Sequence, residues 1–341
     1  MKKSQSIPGL GDRRPTSYDV AQLAGVSQSA VSRCFRPGNS ISAEKRKRVL
    51  KAAAQLGYQP NAIASGLITK RSNLVAVLIS SLTNLYYPQV LAELTQRLDA
   101  QGIRVLLFAL QAESEVGTAL EHVWRYRVDG AISAARLSSD QLQLFERHHV
   151  PVVLYNRYSE GESVPSVCCD SIGGERLLVD RLVQAGHRRF AIIAGPDDSY
   201  VSNERVEGAR ARLEHHGLDA RIIPGQFDHE SGAAGARALL AQDVRPDAII
   251  CANDLMAIGA IDAARAEFGL DIPSNISIVG FDGVEPAAWP SYRLTTIRQP
   301  VRRMTDAAVT MLLERVANPN LPPEVRSFTG ALIEGQSARL G

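Results

Sequence analysis

The chain has 341 residues, 45% of them hydrophobic and 22% charged, with a formal net charge of +2. That length exceeds one ordinary core and suggests two or three domains, and the mixture is that of a globular chain, not of a fibrous or low-complexity one. The start, MKKSQSIPGLGDRRP, has basic residues with no apolar stretch behind them, and the longest apolar runs, such as LVAVLIS, fall far short of the roughly 18 residues a spanning helix needs, so that neither an export signal nor a membrane anchor is expected and the cytoplasm is the expected compartment.

The near-neutral total hides an asymmetry. Residues 1–71 carry 13 Lys and Arg against 3 Asp and Glu, a net +10, and the remaining 25 against 33 give −8. A basic end with helical periodicity points to an anionic partner, nucleic acid first, because phosphate neutralisation is the part of such binding that needs no particular sequence.

Thr16 precedes SYDVAQLAG, in which Val20, Leu23 and Ala24 share one helical face and Asp19 stands three residues after Thr16, a capping signature with Asp in the usual Glu position. Gly25 ends this helix, since a left-handed conformation costs glycine little. Ser27 caps a second helix, from about Gln28 to Phe35. At about 100° per residue, Ala30, Val31, Cys34 and Phe35 fall on one side of it and Gln28, Ser29, Ser32 and Arg33 on the other. Helix, three-residue turn and second helix are what a helix-turn-helix requires, and in that motif the second helix enters the major groove. The polar face is suited to reading base edges. Gln28 offers an amide pair to adenine, Arg33 a planar fork to guanine or phosphate, and Ser29 and Ser32 adaptable hydroxyls.

A third helix follows in AEKRKRVLKAAAQLG, capped by Ser42 and stopped by Gly57, with Val49, Leu50, Ala53 and Leu56 apolar and Arg46, Lys47 and Arg48 facing phosphates or water. In YQPNAIASGLITKRSN, Pro60 fixes a start and Asn61 to Leu67 form a short helix, which Gly66 weakens by roughly 1 kcal/mol relative to Ala. Seven residues do not hold a helix alone in water, so this segment orders only against a partner.

From Leu74 onward short β-branched runs alternate with helical stretches: NLVAVLIS, IRVLLFA, DGAIS, PVVLYN, FAIIAG, DAIICAN and ISIVGFD read as strands buried on both sides. This alternation argues for parallel sheets with right-handed crossovers, in two lobes. Open sheets of this kind bind ligands beyond the carboxyl ends of their strands. There stand LTNLYYP, YNR, GPDDSYVSNERVEG, AND and GFDG, so that Arg205, Asn253 and Asp282 are expected to converge on adjacent hydroxyls while Tyr86, Tyr87 and Phe227 supply flat apolar faces, a chemistry that suits a sugar or polyol.

Catalytic signatures are missing: no GxGxxG opens a βαβ unit, and neither a GxxxxGK[ST] loop nor a GxSxG elbow occurs, so no enzyme and no cofactor are expected. Cys34, Cys168, Cys169 and Cys251 lie in apolar segments without CxxC spacing, and the seven histidines show no ligand spacing, so no disulfide framework or metal site is expected.

The stretches SYDVAQLAGVSQSAVSRCF and SAEKRKRVLKAAAQLGYQPN, with GHRRFAIIAGP, ANDLMAIGA, ISIVGFDG and LTTIRQP further on, resemble the lactose/galactose repressor family of bacterial transcription regulators across nearly the whole chain. The resemblance implies an α/β fold: a two-lobed, parallel-sheet core like a periplasmic binding protein, preceded by an all-α helix-turn-helix domain and a hinge helix. It implies base reading by Gln28, Ser29 and Arg33, with Thr16, Tyr18, Ser27, Ser32, Tyr58 and Asn61 near the backbone or groove edge, and it gives Leu67 the role of a wedge in the minor groove. Ser65 and Gly66 depart from the family pattern in the hinge. The same likeness lines an effector cleft with Tyr86, Tyr87, Arg205, Phe227, Asn253 and Asp282, and puts Gln299 at a crossover between lobes. The expected domains are a tail at 1–15, the DNA-binding domain at 16–59, the hinge at 60–72, and a core at 73–341 with one lobe at about 73–170 plus 302–327 and the other at about 171–298 plus 328–341. The implied protein is a regulator, in this family most often a repressor, that binds a pseudo-palindromic operator in double-stranded DNA under the control of a small sugar-like effector. No leucine heptad follows the final GALIEGQSARLG, which makes a homodimer the expectation and leaves a tetramer open. Activation, or repression through a corepressor, stays open as well, and a solute-binding protein is the rival from another class.

Overall fold

A computed structural model of the chain describes residues 13–35, 41–59, 71–80, 82, 84–111, 113–158 and 164–341. It separates into two compact units, Met1–Ser72 and Asn73–Gly341.

In the first unit, α1 spans Ser17–Ala24, α2 Gln28–Cys34 and α3 Ala43–Leu56. The Thr16 side chain accepts from the Asp19 N–H while the Asp19 side chain takes the Thr16 N–H, which completes a reciprocal cap. Ser27 and Ser42 cap α2 and α3 through their hydroxyls. Gly25 (φ 60°) and Gly57 (φ 63°) end α1 and α3 in the left-handed region. Val20, Val31 and Val49, each fully buried, join Ala24, Cys34 and Ala53 in a small core. Leu23 and Leu50, expected on buried faces, are instead 48% and 45% exposed, because three short helices meet along one narrow seam. Phe35 is the cap residue after α2 and not part of the helix.

The second unit holds two six-stranded sheets. The first is formed by β1 (Leu74–Ser80), β2 (Arg104–Leu110), β3 (Gly130–Ser133), β4 (Val152–Tyr155) and β5 (Ser166–Cys169), alternating with α4 (Tyr86–Ala100), α5 (Val116–Tyr126) and α6 (Ser139–Arg147). The chain then enters the second through α7 (Ser171–Gln184), and builds it from β6 (Phe190–Ile193), α8 (Tyr200–His215), β7 (Ala220–Ile223), α9 (His229–Leu240), β8 (Ala248–Cys251), α10 (Asp254–Ala266), β9 (Ser277–Asp282) and β10 (Thr295–Arg298). It returns to the first lobe as α11 (Val301–Ala317) and β11 (Val325–Phe328), and ends in the second as β12 (Ala331–Ile333). Strand orders are β11-β5-β4-β3-β1-β2 and β12-β10-β9-β8-β6-β7, parallel except where β12 meets β10. The chain thus passes between lobes three times, at Asp170, at Gln299–Pro300 and at Thr329–Gly330.

Helices on both faces explain the continuous apolar runs of the inner strands. In β1, Val75, Val77 and Ile79 enter one core while Ala76 and Leu78 enter the opposite one. β2 corrects the expectation of burial on both sides: its residues are exposed or half-buried until Leu110, because an edge strand has a neighbour on one side only. Five strands were not expected, β5, β7, β10, β11 and β12. Each has three or four residues and lacks a long β-branched run. All four cysteines are free and buried. Among the described residues no helix is long and apolar enough to cross a membrane, and no group of three or more His, Cys, Asp or Glu could hold a metal ion.

Candidate functional site

The outer face of α2 is open. Gln28, Ser29 and Arg33 are exposed, Ser32 is half-buried, and Tyr18 on α1 is 72% exposed. The Ser27 and Ser29 hydroxyls lie 2.9 Å apart, and the Gln28 amide donates to the Ser17 hydroxyl at 3.3 Å. Thr16 donates its hydroxyl to Asp19 at 2.7 Å, and Arg13 grips the same carboxylate with two bonds of 2.8 and 2.7 Å. Arg13 and Thr16 together hold Asp19 well below the usual carboxylate range. Tyr58 is half-buried, edge-on to Phe35 at 5.9 Å between ring centres. Arg48, expected to face phosphate or water, donates to the Gly25 carbonyl at 2.8 Å and so pins the turn between α1 and α2. Lys45, Arg46 and Lys47 are exposed on α3. Asn61 and Leu67 lie outside the described residues.

In the second unit a cavity of about 800 Å³ opens where strands of both sheets end. Its wall takes Ser80 from the end of β1, Asn156 from just after β4, Asp282 from the end of β9 and Gln299 from just after β10. Tyr86, Tyr87, Arg205 and Phe227 line it too. This is the strand-end location at which open α/β sheets hold ligands.

A hydrogen-bonded chain runs along the floor. Arg205 Nη2 donates to Asp282 Oδ1 at 2.7 Å, and Gln299 Nε2 donates to the same oxygen at 2.7 Å. The Asn156 amide donates to Gln299 Oε1 at 2.8 Å and to the Tyr86 hydroxyl at 3.2 Å, which in turn lies 3.2 Å from the Tyr155 hydroxyl. Asn156 and Tyr86 belong to the first lobe, Arg205 and Asp282 to the second, and Gln299 to a crossover, so the chain spans both lobes. Burial would lower the Arg205 pKa, but the neighbouring acids, Asp282 foremost, more than offset it and keep the guanidinium charged. Burial likewise pushes up the Tyr86 and Tyr155 phenols, which stay neutral. Three wall residues have a left-handed backbone, Asn156 (φ 51°), Phe227 (φ 60°) and Asp282 (φ 122°), a conformation that persists only where the surroundings over-determine it.

Asn253 departs from the expected convergence. It caps α10, taking the Met256 N–H at 2.9 Å and donating to the Phe227 carbonyl at 3.0 Å, and with 1% exposure it stands behind the wall. It therefore places Phe227 without facing the cavity. Two acids near the floor, Asp254 in the AND stretch and Glu175, were not among the expected site residues. Asp254, fully buried, accepts from the Gly283 and Val284 N–H groups at 2.7 and 2.8 Å and from the Thr296 hydroxyl at 2.5 Å, and so clamps the turn that follows Asp282. Glu175 on α7 is 1% exposed and neither of its oxygens has a hydrogen-bond partner. Burial raises its pKa, Arg205 opposes and Asp282 adds, and the result is about 8.

The geometry joins an ion-paired carboxyl, a fixed fork of donors and amide groups in one hydrogen-bonded chain, with aromatic rings in the same wall. Such a wall recognises a small molecule that both donates and accepts hydrogen bonds and has an apolar face.

Comparison with known proteins agrees with both units. The model of bacterial regulatory proteins of the lacI family matches residues 16–61, and that of the periplasmic binding protein-like domain matches residues 179–338. The transcriptional repressor PurR of Actinobacillus pleuropneumoniae serotype 3 is 30% identical over 331 residues, 95% of this chain and 98% of its own length. The ribose operon repressor of Escherichia coli K12 is 30% identical over 330 residues, 95% of this chain and 99% of its own. The crystal structure of the lac repressor dimer bound to operator and the anti-inducer ONPF superposes with a TM-score of 0.86 at 30% identity, covering 95% of this chain and 99% of that one. With a helix-turn-helix head, a two-lobed effector-binding core and full-length kinship to transcriptional repressors, the chain belongs to the lacI family of bacterial regulatory proteins.

Proposed function

We propose that this protein is a cytoplasmic repressor that binds a pseudo-palindromic operator as a homodimer and is controlled by a small neutral sugar or sugar derivative held between its lobes. Base contacts fall to Gln28, Ser29 and Arg33, and backbone contacts to Thr16, Tyr18, Ser27, Ser32 and the basic face of α3. The hinge comprises residues 60–72, with Leu67 as its groove wedge, and the lobes divide near 170, 299 and 329, with Phe328, expected in the second lobe, paired to Cys169 in the first.

The floor chain from Tyr86 to Arg205 carries this reading, because it joins both lobes through groups that a polyol would engage. The cavity wall holds Arg136, Arg157 and Arg205 together with Asp197, Asp198 and Asp282, three of each sign, which favours a ligand without net charge. Asp282 is committed to Arg205 and Gln299, and such a fixed hydrogen-bonded wall supports reading the cleft as a binding site. Control requires unequal effector affinity for two lobe arrangements, with typical couplings of about 1–3 kcal/mol.

The test is a thermal-shift screen of neutral mono- and disaccharides, D-ribose included, followed by titration of selected genomic duplexes with and without each binder. A sugar that raises the melting temperature and shifts duplex affinity supports the proposal. Failure to retain any genomic fragment at low salt, with or without these sugars, overturns it. Tighter operator binding in the presence of the sugar would make it a corepressor.

A further inference from the structure

Glu175 has no part in the contacts of the cleft floor, yet a carboxyl that is 1% exposed with no hydrogen-bond partner is costly to bury and calls for an explanation. It sits where α7 and α8 approach each other closely: a Cβ added at Gly208 of α8 would lie 3.3 Å from the Glu175 Cβ and 2.9 Å from the Ile172 backbone. The charged and titratable groups around it are Arg205 on α8, Asp282 at the end of β9 and Cys251 on β8; Asp254 on α10, its own pKa raised by burial to about 8, interacts in turn with Asp282 and Cys251. Arg205 is the only cation of this set, and Asp282 already neutralises it across 2.7 Å. Arg205 Nε, like the Glu175 oxygens, is buried without a hydrogen-bond partner.

One guanidinium that interacts with two carboxyls has two ways to satisfy itself. Its Nη2 serves Asp282, and its Nε is left for a second acceptor. We propose that Glu175 is a positioning residue for Arg205: its carboxyl holds a proton while Arg205 is committed to Asp282, and on losing that proton it draws Arg205 through Nε and loosens the grip on Asp282. The floor of the cleft thereby exists in two charge states. With the proton on Glu175 it is balanced and suits an uncharged ligand, and without it the floor carries one excess negative charge beneath the ligand. The expected consequence is an effector affinity that depends on alkaline pH. The inference rests on the assignment of Arg205 and Asp282 to the effector floor, and its test uses no effector, so that failure of either is seen separately.

The test is a pH titration by NMR of the full-length, deuterated protein, labelled with ¹³C in the Glu carboxyl carbons and ¹⁵N in the Arg side chains. The Glu175 carboxyl signal is assigned by its loss in Glu175→Gln, and the Arg205 Nε–H signal by its loss in Arg205→Lys. The expected result is a Glu175 midpoint near 8 and an Arg205 Nε–H signal that moves over the same range in the wild type and stays fixed in Glu175→Gln. In Asp282→Asn, which removes the repelling carboxylate and frees Arg205, the midpoint falls by about one pH unit or more. Thermal unfolding gives an independent reading. Because the folded pKa lies above the unfolded one, wild type loses stability relative to Glu175→Gln as pH rises from about 4.5 to about 8, with a constant difference beyond. A packing role alone would leave that difference flat. A midpoint at the ordinary value of 4.5, or an Arg205 signal that still titrates in Glu175→Gln, overturns the proposal.

Discussion

Arg205 and Asp282 form an ion pair 2.7 Å long with both side chains 3% exposed, at the point where α8 meets the end of β9. Two charges taken out of water are stable only when their remaining bonding capacity is used. Here nearly all of it is: Arg205 Nη1 donates to the Ala252 carbonyl at 2.5 Å, its guanidinium carbon stands 4.0 Å above the Phe281 ring centre, and Asp282 takes a further bond from Gln299, with Arg205 Nε left over. The pair is thus both a structural fixture and the part of the wall that a ligand would meet.

Removing one partner should be costly. Arg205→Ala is expected to destabilise the effector core by ~3–5 kcal/mol, since Asp282 is left buried without its counter-ion. Urea denaturation of the variant measures this, and its operator binding should no longer respond to a sugar that moves the wild type. A variant that still responds contradicts the assignment of Arg205 to the cleft.

Asp254→Ala tests the clamp beneath Asp282. It strands two backbone N–H groups and a hydroxyl, at about 1–3 kcal/mol for each group left unsatisfied. Hydrogen exchange at the Gly283 and Val284 amides should accelerate more than exchange in β8. Equal protection in variant and wild type would show that the turn holds itself.

Glycine substitutions should carry opposite signs at two helical sites. At Gly259 of α10 an added Cβ would lie 2.0 Å from the His229 carbonyl oxygen, so Gly259→Ala forces α9 and α10 apart and should cost about 1–3 kcal/mol or more. At Gly117 of α5 nothing lies within 4 Å, and Gly117→Ala should stabilise by about 0.4–1 kcal/mol. Melting temperatures of the two variants decide the matter.

In the head, Arg33→Ala and Lys47→Ala separate reading from gripping. Loss of the Arg33 fork should cost ~1–3 kcal/mol and relax base choice at one position of each half-site. Loss of Lys47 should weaken all duplexes alike and reduce the salt slope by about 1. Titrations of matched and single-substituted duplexes at two salt concentrations distinguish these outcomes, and a sequence-independent loss in Arg33→Ala would exclude base reading by that residue.

The sequence displayed features that depend on neighbours along the chain. Thr16, Ser27 and Ser42 announce their helices because a cap is a contact across three residues, and LVAVLIS announces β1 because burial on both faces leaves no polar alternation. It concealed features that depend on distant partners. TTIR reads as polar, yet Thr296 is buried because Asp254, 42 residues earlier, takes its hydroxyl. Asn253 occupies a strand end like Asp282 does, but its amide serves the cap of α10 and the Phe227 carbonyl, a commitment visible only in three dimensions. Glu175 gave no sign at all, since a Glu amid a helix usually faces water.

The three passages between lobes, at Asp170, Gln299–Pro300 and Thr329–Gly330, set what kind of motion the core permits. A single strap would let the two halves swivel freely, whereas three restrict them to something like the swing of a door on several hinges. Gln299 is itself on one of those hinges and holds both Asn156 and Asp282. A molecule that competes for either grip therefore pulls directly on the hinge pin.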